Sequence, residues 1–401
     1  MRFKVELHDL RRIDKAARGW HPARAGRTGG QVMAFYHGLK SYEADPSYPA
    51  KAAWIAARLL SLRRDLHDQV LKNRRANSLI IGSWNIRAFD DGVPRLDESY
   101  HYIAEIVNSF DICAVQEIKS DLTPLQRLVK LLGPQWEYFV SDVSTHRGGN
   151  SERMAFLYNT DKVIFRNLIG EIVLPREELI AGEQIARSPF FAAFQAGWFR
   201  FALCSAHIIF GGESAAEKAL RAQEIAAITR MLVARAKVED QVYVLLGDLN
   251  IDTRDGPIMD ALTASEMVVP EFPATNMGGD KFFDQIAFTV KGKAERKTRL
   301  LRHGVFDWRR SVFGPWPDRD FPPQTAAEAA LPQRRLTDAE QIAHYLPVTV
   351  AERAKHGKPP YAHFEKSYRG WTTYEMSDHL PIWIEIEIDY SDDYLARFLT
   401  P

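Results

Sequence analysis

Cysteine is nearly missing from this sequence: two occur among 401 residues, Cys113 and Cys204, each inside an apolar run. Two such thiols cannot build a disulfide scaffold and read as buried free thiols in a reducing cytosol. No apolar run reaches the ~18 residues that span a bilayer. The opening MRFKVELHDLRR lacks the apolar stretch of a secretory signal. A cytoplasmic location with no membrane partner is therefore the expectation. An excess of charge of one sign is also missing: 52 Lys and Arg face 52 Asp and Glu. That excludes a binder of nucleic acid by bulk charge while leaving room for a local basic groove. The Cys/His spacing of zinc sites is absent, as are internal repeats and low-complexity tracts. What is present is an ordinary globular composition, 46% hydrophobic and 26% charged. At ~150 residues per domain, the length suggests two to three domains, or one large domain with additions.

Residues 1–77 read as an N-terminal helical extension. They hold basic residues (Arg11, Arg12, Lys15, Arg18), a Gly/Arg loop at 25–30, and a helical stretch over about 48–75. Trp54, Ala57, Leu60, Leu66 and Val70 fall roughly at helical spacing, as for a helix packed on the main domain. From Leu79 onward, strand-length apolar runs recur at 79–84, 112–115, 154–158, 199–206, 242–246, 282–290 and 382–388. The last alternates Ile382, Ile384, Ile386 and Ile388 with Trp383, Glu385 and Glu387, as a strand with one wet face would. Helical patterns at 99–110 and 215–236 lie between. Such a mixture predicts two sheets packed together with helices outside. Residues 291–370 break the rhythm with a basic part and then a Pro/Ala-rich part, and read as an insertion. The domain plan is thus 1–77, then 78–390 with that insertion, then a tail at 391–401.

The polar residues follow the apolar runs. Asn85 closes the first; Gln116 and Glu117 close the second. His207 closes 199–206, and Asp248 and Asn250 close 242–246. Ser377, Asp378 and His379 stand just before the final strand. Acids, amides and imidazoles gathered at strand ends are placed for chemistry. Singly, each is an ordinary strand end or turn residue.

As a set, "SWNIR" (83–87), "VQEIK" (115–119), "SER" (151–153), "SAHIIF" (205–210), "GDLNID" (247–252), "FDQIAF" (283–288) and "SDHLPI" (377–382) occur in an order that resembles the endonuclease/exonuclease/phosphatase superfamily. The details are most similar to its deoxyribonuclease I branch, although the groove tyrosine of that branch would fall near Asn150. The resemblance implies an α/β fold, a two-layer β-sandwich flanked by helices, here with the N-terminal extension and the basic insertion. It implies a phosphodiester hydrolase using Mg²⁺ (or Mn²⁺). Glu117, Asn85 and Asp378 would hold the metal. Asp248 would orient or deprotonate the attacking water, and Asn250 would hold a phosphate oxygen. His379, its tautomer fixed by Asp284, and His207, oriented by Glu152, would form an acid/base pair whose order the sequence leaves open. Lys119 and Arg187 would contact substrate phosphate. Nucleic acid, DNA first, is the expected partner, with Phe306, Trp308, Phe313 and Trp316 of the insertion as candidate base-stacking groups. The competing readings are a hydrolase of small or lipid phosphoesters and a binding protein that kept the fold without the chemistry.

Overall fold

The apolar runs become strands whose two faces are both buried. The computed structural model describes residues 34–36, 38–42, 51–90, 94–144, 150–290, 298–314 and 337–399. The basic residues at 11–18, the 25–30 loop, residues 291–297 and Trp316 lie outside them. The strands are β1 (Ser78–Phe89), β2 (Ile112–Ile118), β3 (Trp136–Val140), β4 (Arg153–Asn159), β5 (Ile164–Glu171), β6 (Phe190–Ala196), β7 (Phe199–His207), β8 (Val242–Asp248), β9 (Met267–Val268), β10 (Asp284–Thr289), β11 (Leu300–Val305) and β12 (Ile382–Glu387). They form two six-stranded sheets, in the orders β11-β12-β1-β2-β4-β3 and β5-β6-β7-β8-β10-β9. Each sheet has a central parallel pair, β1 with β2 and β7 with β8, among otherwise antiparallel neighbours.

Because successive side chains on a strand point to opposite faces, Leu79 and Ile81 of β1 enter the core between the sheets with Ile112, Phe156, Phe201, Val244, Leu246 and Ile286. Ile80 and Trp84 face outward, into a second core beneath helices. The helices are α1 (Lys51–Leu66), α2 (Asp97–Asn108), α3 (Thr123–Leu132), α4 (Ala215–Val238), α5 (Pro257–Thr263), α6 (Asp338–Lys355), α7 (Phe364–Glu375) and α8 (Ser391–Ala396). Ile225, Ile228 and Leu232 of α4 cover the outer face of the second sheet. A capping box of Ser214 and Glu217 starts α4 by satisfying its free amide groups. None of the described helices is long and apolar enough to cross a membrane.

Four sequence expectations change. Of the expected stripe, Leu66 and Val70 are buried and Trp54 packs against the same core, but Ile55, Leu59 and Leu62 take the buried places expected of Ala57 and Leu60. The outer face of β12 is not wet: Trp383 is buried under helices, and the buried Glu385 accepts hydrogen bonds from Ser78 Oγ (2.5 Å), the Arg75 amide (2.8 Å) and Arg302 Nε (2.5 Å). Within the stretch read as an insertion, β11 pairs with β12 as an edge strand of the first sheet. The polar side chains of Arg302 and His303 hide the strand pattern. In the same stretch Phe306, Trp308 and Phe313 are buried in the helix-side core, so they cannot stack bases.

Glu105 of α2 is buried beside Arg63 Nη1 (3.3 Å), and burial pushes its carboxyl from 4.5 up to about 8. The folded chain therefore binds a proton that the unfolded chain has lost. That contribution is full below the unfolded value and disappears as pH rises through about 8. Glu105→Gln, neutral throughout, is expected to leave stability near pH 5 unchanged. Above pH 8 it should raise stability by about 2–4 kcal/mol, seen as a pH-dependent difference in Tm between variant and wild type.

Candidate active site

The two parallel pairs bring four of the expected residues to their C-terminal ends. Asn85 closes the regular part of β1, opposite Gln116 of β2, and His207 of β7 stands opposite Asp248 of β8. On the other side of β8, Asp248 faces Asp284 at the start of β10. The two sheets meet through these ends. Asn85 Nδ2 donates to Glu117 Oε1 (2.9 Å) and to Asp248 Oδ2 (3.0 Å), so one amide links the carboxylates of the two sheets.

Glu117 reaches this position through irregular backbone. Pairing of β2 with β1 shifts between Asn85 and Phe89, and its pairing with β4 shifts between Val115 and Ile118. Glu117 itself has φ +63°, in the left-handed region. Such irregularity re-aims a side chain at the end of a strand. The Ala88 amide then donates to Glu117 Oε2 at 2.8 Å.

Two imidazoles converge on Asp248. His379 Nδ1 lies 2.7 Å from Asp284 Oδ2, and its Nε2 is 3.7 Å from Asp248 Oδ2. His207 Nδ1 lies 3.3 Å from Glu152 Oε2, and its Nε2 is 3.5 Å from Asp248 Oδ2 and 4.0 Å from Glu117 Oε1. Each ring thus has a carboxylate behind it and turns its other nitrogen to the same oxygen. Burial by itself lowers the His379 imidazole, but the charges of Asp284 and Asp248 outweigh it and push the group up to about 10. Burial raises Asp284 in turn. At Glu152 burial acts upward, but His207, Arg187 and Lys119 outweigh it and hold the carboxyl at about 2. Lys119 Nζ and Arg187 Nη2 each lie 3.2 Å from that carboxylate, so the two expected phosphate contacts stand side by side.

Asn250 is placed by a turn, with φ +50°. Its amide donates to Asp248 Oδ1 (2.9 Å) and its Nδ2 to the Ile208 carbonyl (2.7 Å), so its contacts fix the Asp248 carboxylate. Asp378 is the outlier. Its side chain is 39% exposed and lies 3.6 Å from Arg87 Nε, with no contact to Glu117 or Asn85.

Two residues that the sequence places at strand ends without a role turn out to support the site. Ser377 Oγ donates to the Asn85 carbonyl (2.5 Å) and accepts the His379 amide (3.0 Å), tying the histidine segment to β1. Gln116 Nε2 donates to Ser205 Oγ (3.0 Å), bridging the sheets beneath the site. The signal in both cases is a small polar or amide residue inside a motif, between apolar neighbours.

Ligand atoms of Asp248, Asp284 and His379 lie within 4.8 Å of one another, all buried, and the three can coordinate a divalent cation. Asn85 Oδ1 and Asp284 Oδ1 are buried acceptors with no hydrogen-bond partner. Orphaned oxygens among several carboxylates are the donor set that hard cations such as Mg²⁺ favour. The arrangement fits the active site of a metal-dependent phosphoesterase.

The model of the Endonuclease/Exonuclease/phosphatase family matches residues 82–328, and the chain belongs to that family. Deoxyribonuclease-1 of Equus caballus is 34% identical over 92 residues, covering 22% of this chain and 33% of the relative. The Gallus gallus Deoxyribonuclease-1 is 32% identical over 94 residues, again 22% and 33% of the two chains. The chain thus spans about a third of the length of these curated relatives. An endonuclease/exonuclease/phosphatase family protein of Bacteroides thetaiotaomicron is similar in structure, with TM-score 0.47 and 17% identity, over 78% of this chain and 95% of that one.

Proposed function

We propose that this chain is a divalent-metal-dependent nuclease that hydrolyses phosphodiester bonds, with DNA as first substrate. The observation that carries the reading is the convergence of two carboxylate-backed imidazoles on Asp248, 3.5 Å and 3.7 Å from one oxygen. An attacking water, a pentacovalent phosphate and a leaving alkoxide require groups of this kind on both sides of one phosphorus. Asp248 orients the water and takes its proton. His379, held charged by Asp284, stabilises the phosphate, and His207, set by Glu152, protonates the leaving oxygen. Lys119 and Arg187 hold a phosphate oxygen beside it. Glu117 and Asn85, with Asp248 beside them, would hold the cation, leaving Asp284 to His379; the cation would supply charge neutralisation at the phosphoryl group. The similarity to two Deoxyribonuclease-1 relatives, over 92 and 94 residues, favours nucleic acid over small esters. We also assign the hydrolase to residues 78–390, and place the protein in the cytoplasm, where two separate buried thiols stay reduced.

Supercoiled plasmid incubated with Mg²⁺ or Mn²⁺ is expected to be nicked, and EDTA is expected to abolish nicking. Intact plasmid together with phosphate release from 4-nitrophenyl phosphate would move the reading to a phosphatase of small or lipid phosphoesters.

A further inference from the structure

Tyr374 lies on the last turn of α7 and is 51% exposed, although neighbouring Trp371 is buried. Arg87 Nη2 donates to its hydroxyl at 3.0 Å, and Arg87 Cζ lies 3.9 Å from its ring centroid. Arg87 Nη1 donates to Thr373 Oγ1 at 2.6 Å, and Arg87 Nε is 3.6 Å from Asp378 Oδ2. Asn85 and Arg87 are two apart on β1. Ser377 Oγ ties the two together, donating to the Asn85 carbonyl at 2.5 Å and accepting the Arg87 amide at 3.3 Å. Exposure rises along this line, from buried Asn85 through Arg87 at 30% to Tyr374 at 51%. Ser377 and Arg87 thus connect the Asn85 end of the site to an exposed aromatic ring, and Asp378, beside Arg87, precedes His379 in the chain.

We propose that Tyr374 is the platform on which an unpaired nucleobase next to the scissile phosphate stacks, and that Arg87 braces it. This rests on the nuclease reading of the same site. The Arg87 guanidinium reaches Asp378, Thr373 and Tyr374 together, so it holds the ring in place. A cation on one side of a half-exposed phenol leaves the other face and edge to solvent. A flat π-face of that kind takes any base and no single one. Fixed in place beforehand, the ring loses little freedom when the base lands. The contact gives the site a preference for flexible or single-stranded nucleic acid, whose bases can leave the stack.

The full chain with Mg²⁺ is assayed on a short single-stranded oligonucleotide and on an oligomer of the same length built from abasic tetrahydrofuran residues. Wild type is expected to favour the base-bearing oligomer by about ten- to a hundredfold in kcat/KM. Tyr374→Phe keeps that ratio. Tyr374→Ala and Tyr374→Leu, the second retaining bulk without a π-face, bring it near one. A wild type with no preference overturns the proposal, as does a Leu or Ala variant that keeps the preference. Cleavage of neither oligomer by wild type, with hydrolysis of 4-nitrophenyl phosphate intact, overturns the nuclease reading itself and the platform with it.

Discussion

Asp248→Asn is expected to leave the fold intact and to lower kcat on plasmid DNA by about three to four orders of magnitude, the upper part of the range for losing a positioned proton acceptor. The substitution keeps the shape of the side chain but replaces one oxygen of the hub by an amine. Asp248 Oδ2 accepts from Asn85 Nδ2 at 3.0 Å and faces the Nε2 atoms of His207 and His379. Oδ1 accepts the Asn250 amide at 2.9 Å. An amide must place its NH2 group against one of these donors, so either the link to Glu117 or the turn at Asn250 is lost. The negative charge that draws both imidazoles inward is lost as well. Single-turnover cleavage separates this effect from binding. A drop of less than tenfold, with Tm unchanged, would remove Asp248 from the chemistry.

Much of this hub was legible because its parts stand where strands end. Asn85, Glu117, His207 and Asp248 could be found one by one from the apolar runs before them. Pairing each histidine with its carboxylate needed the family resemblance, since 95 residues separate Asp284 from His379, and no periodicity encodes such a contact. The irregular backbone that aims Glu117 left no mark in the sequence, because positive φ at a non-glycine residue is imposed by tertiary packing. Similar reasons explain the misreadings of the fold. The polar side chains of Arg302 and His303 hid β11, and Glu385 looked solvent-facing because its partners Arg75, Ser78 and Arg302 are distant in sequence. Aromatics in a basic stretch looked like a binding surface; Phe306, Trp308 and Phe313 instead pack beneath the first sheet with Tyr345 and Trp371. Hydrophobicity decided that burial, and charge density nearby did not report on it.

Gly247→Ala is expected to destabilise the protein by about 3 kcal/mol or more and to remove activity with it. Gly247 stands opposite Ala206 in the parallel pairing of β7 with β8, one residue before Asp248, just as Ala206 precedes His207. A Cβ on Gly247 would lie 2.1 Å from the Ala206 carbonyl oxygen, and its φ of +129° disfavours any side chain. Backbone cannot swing aside as a flexible side chain can, so relief requires the two strands to part where His207 and Asp248 must stay within 3.5 Å. Gly279→Ala separates the two causes. Gly279 also has positive φ, +75°, but nothing lies within 4 Å of its added Cβ. It should cost only about 1–2 kcal/mol, the price of the left-handed backbone alone. Thermal unfolding of both variants gives the comparison. If Gly247→Ala costs no more than Gly279→Ala, the close approach of β7 and β8 does not hold the site together; a clear excess ties the stability of this strand pair to the spacing of His207 and Asp248.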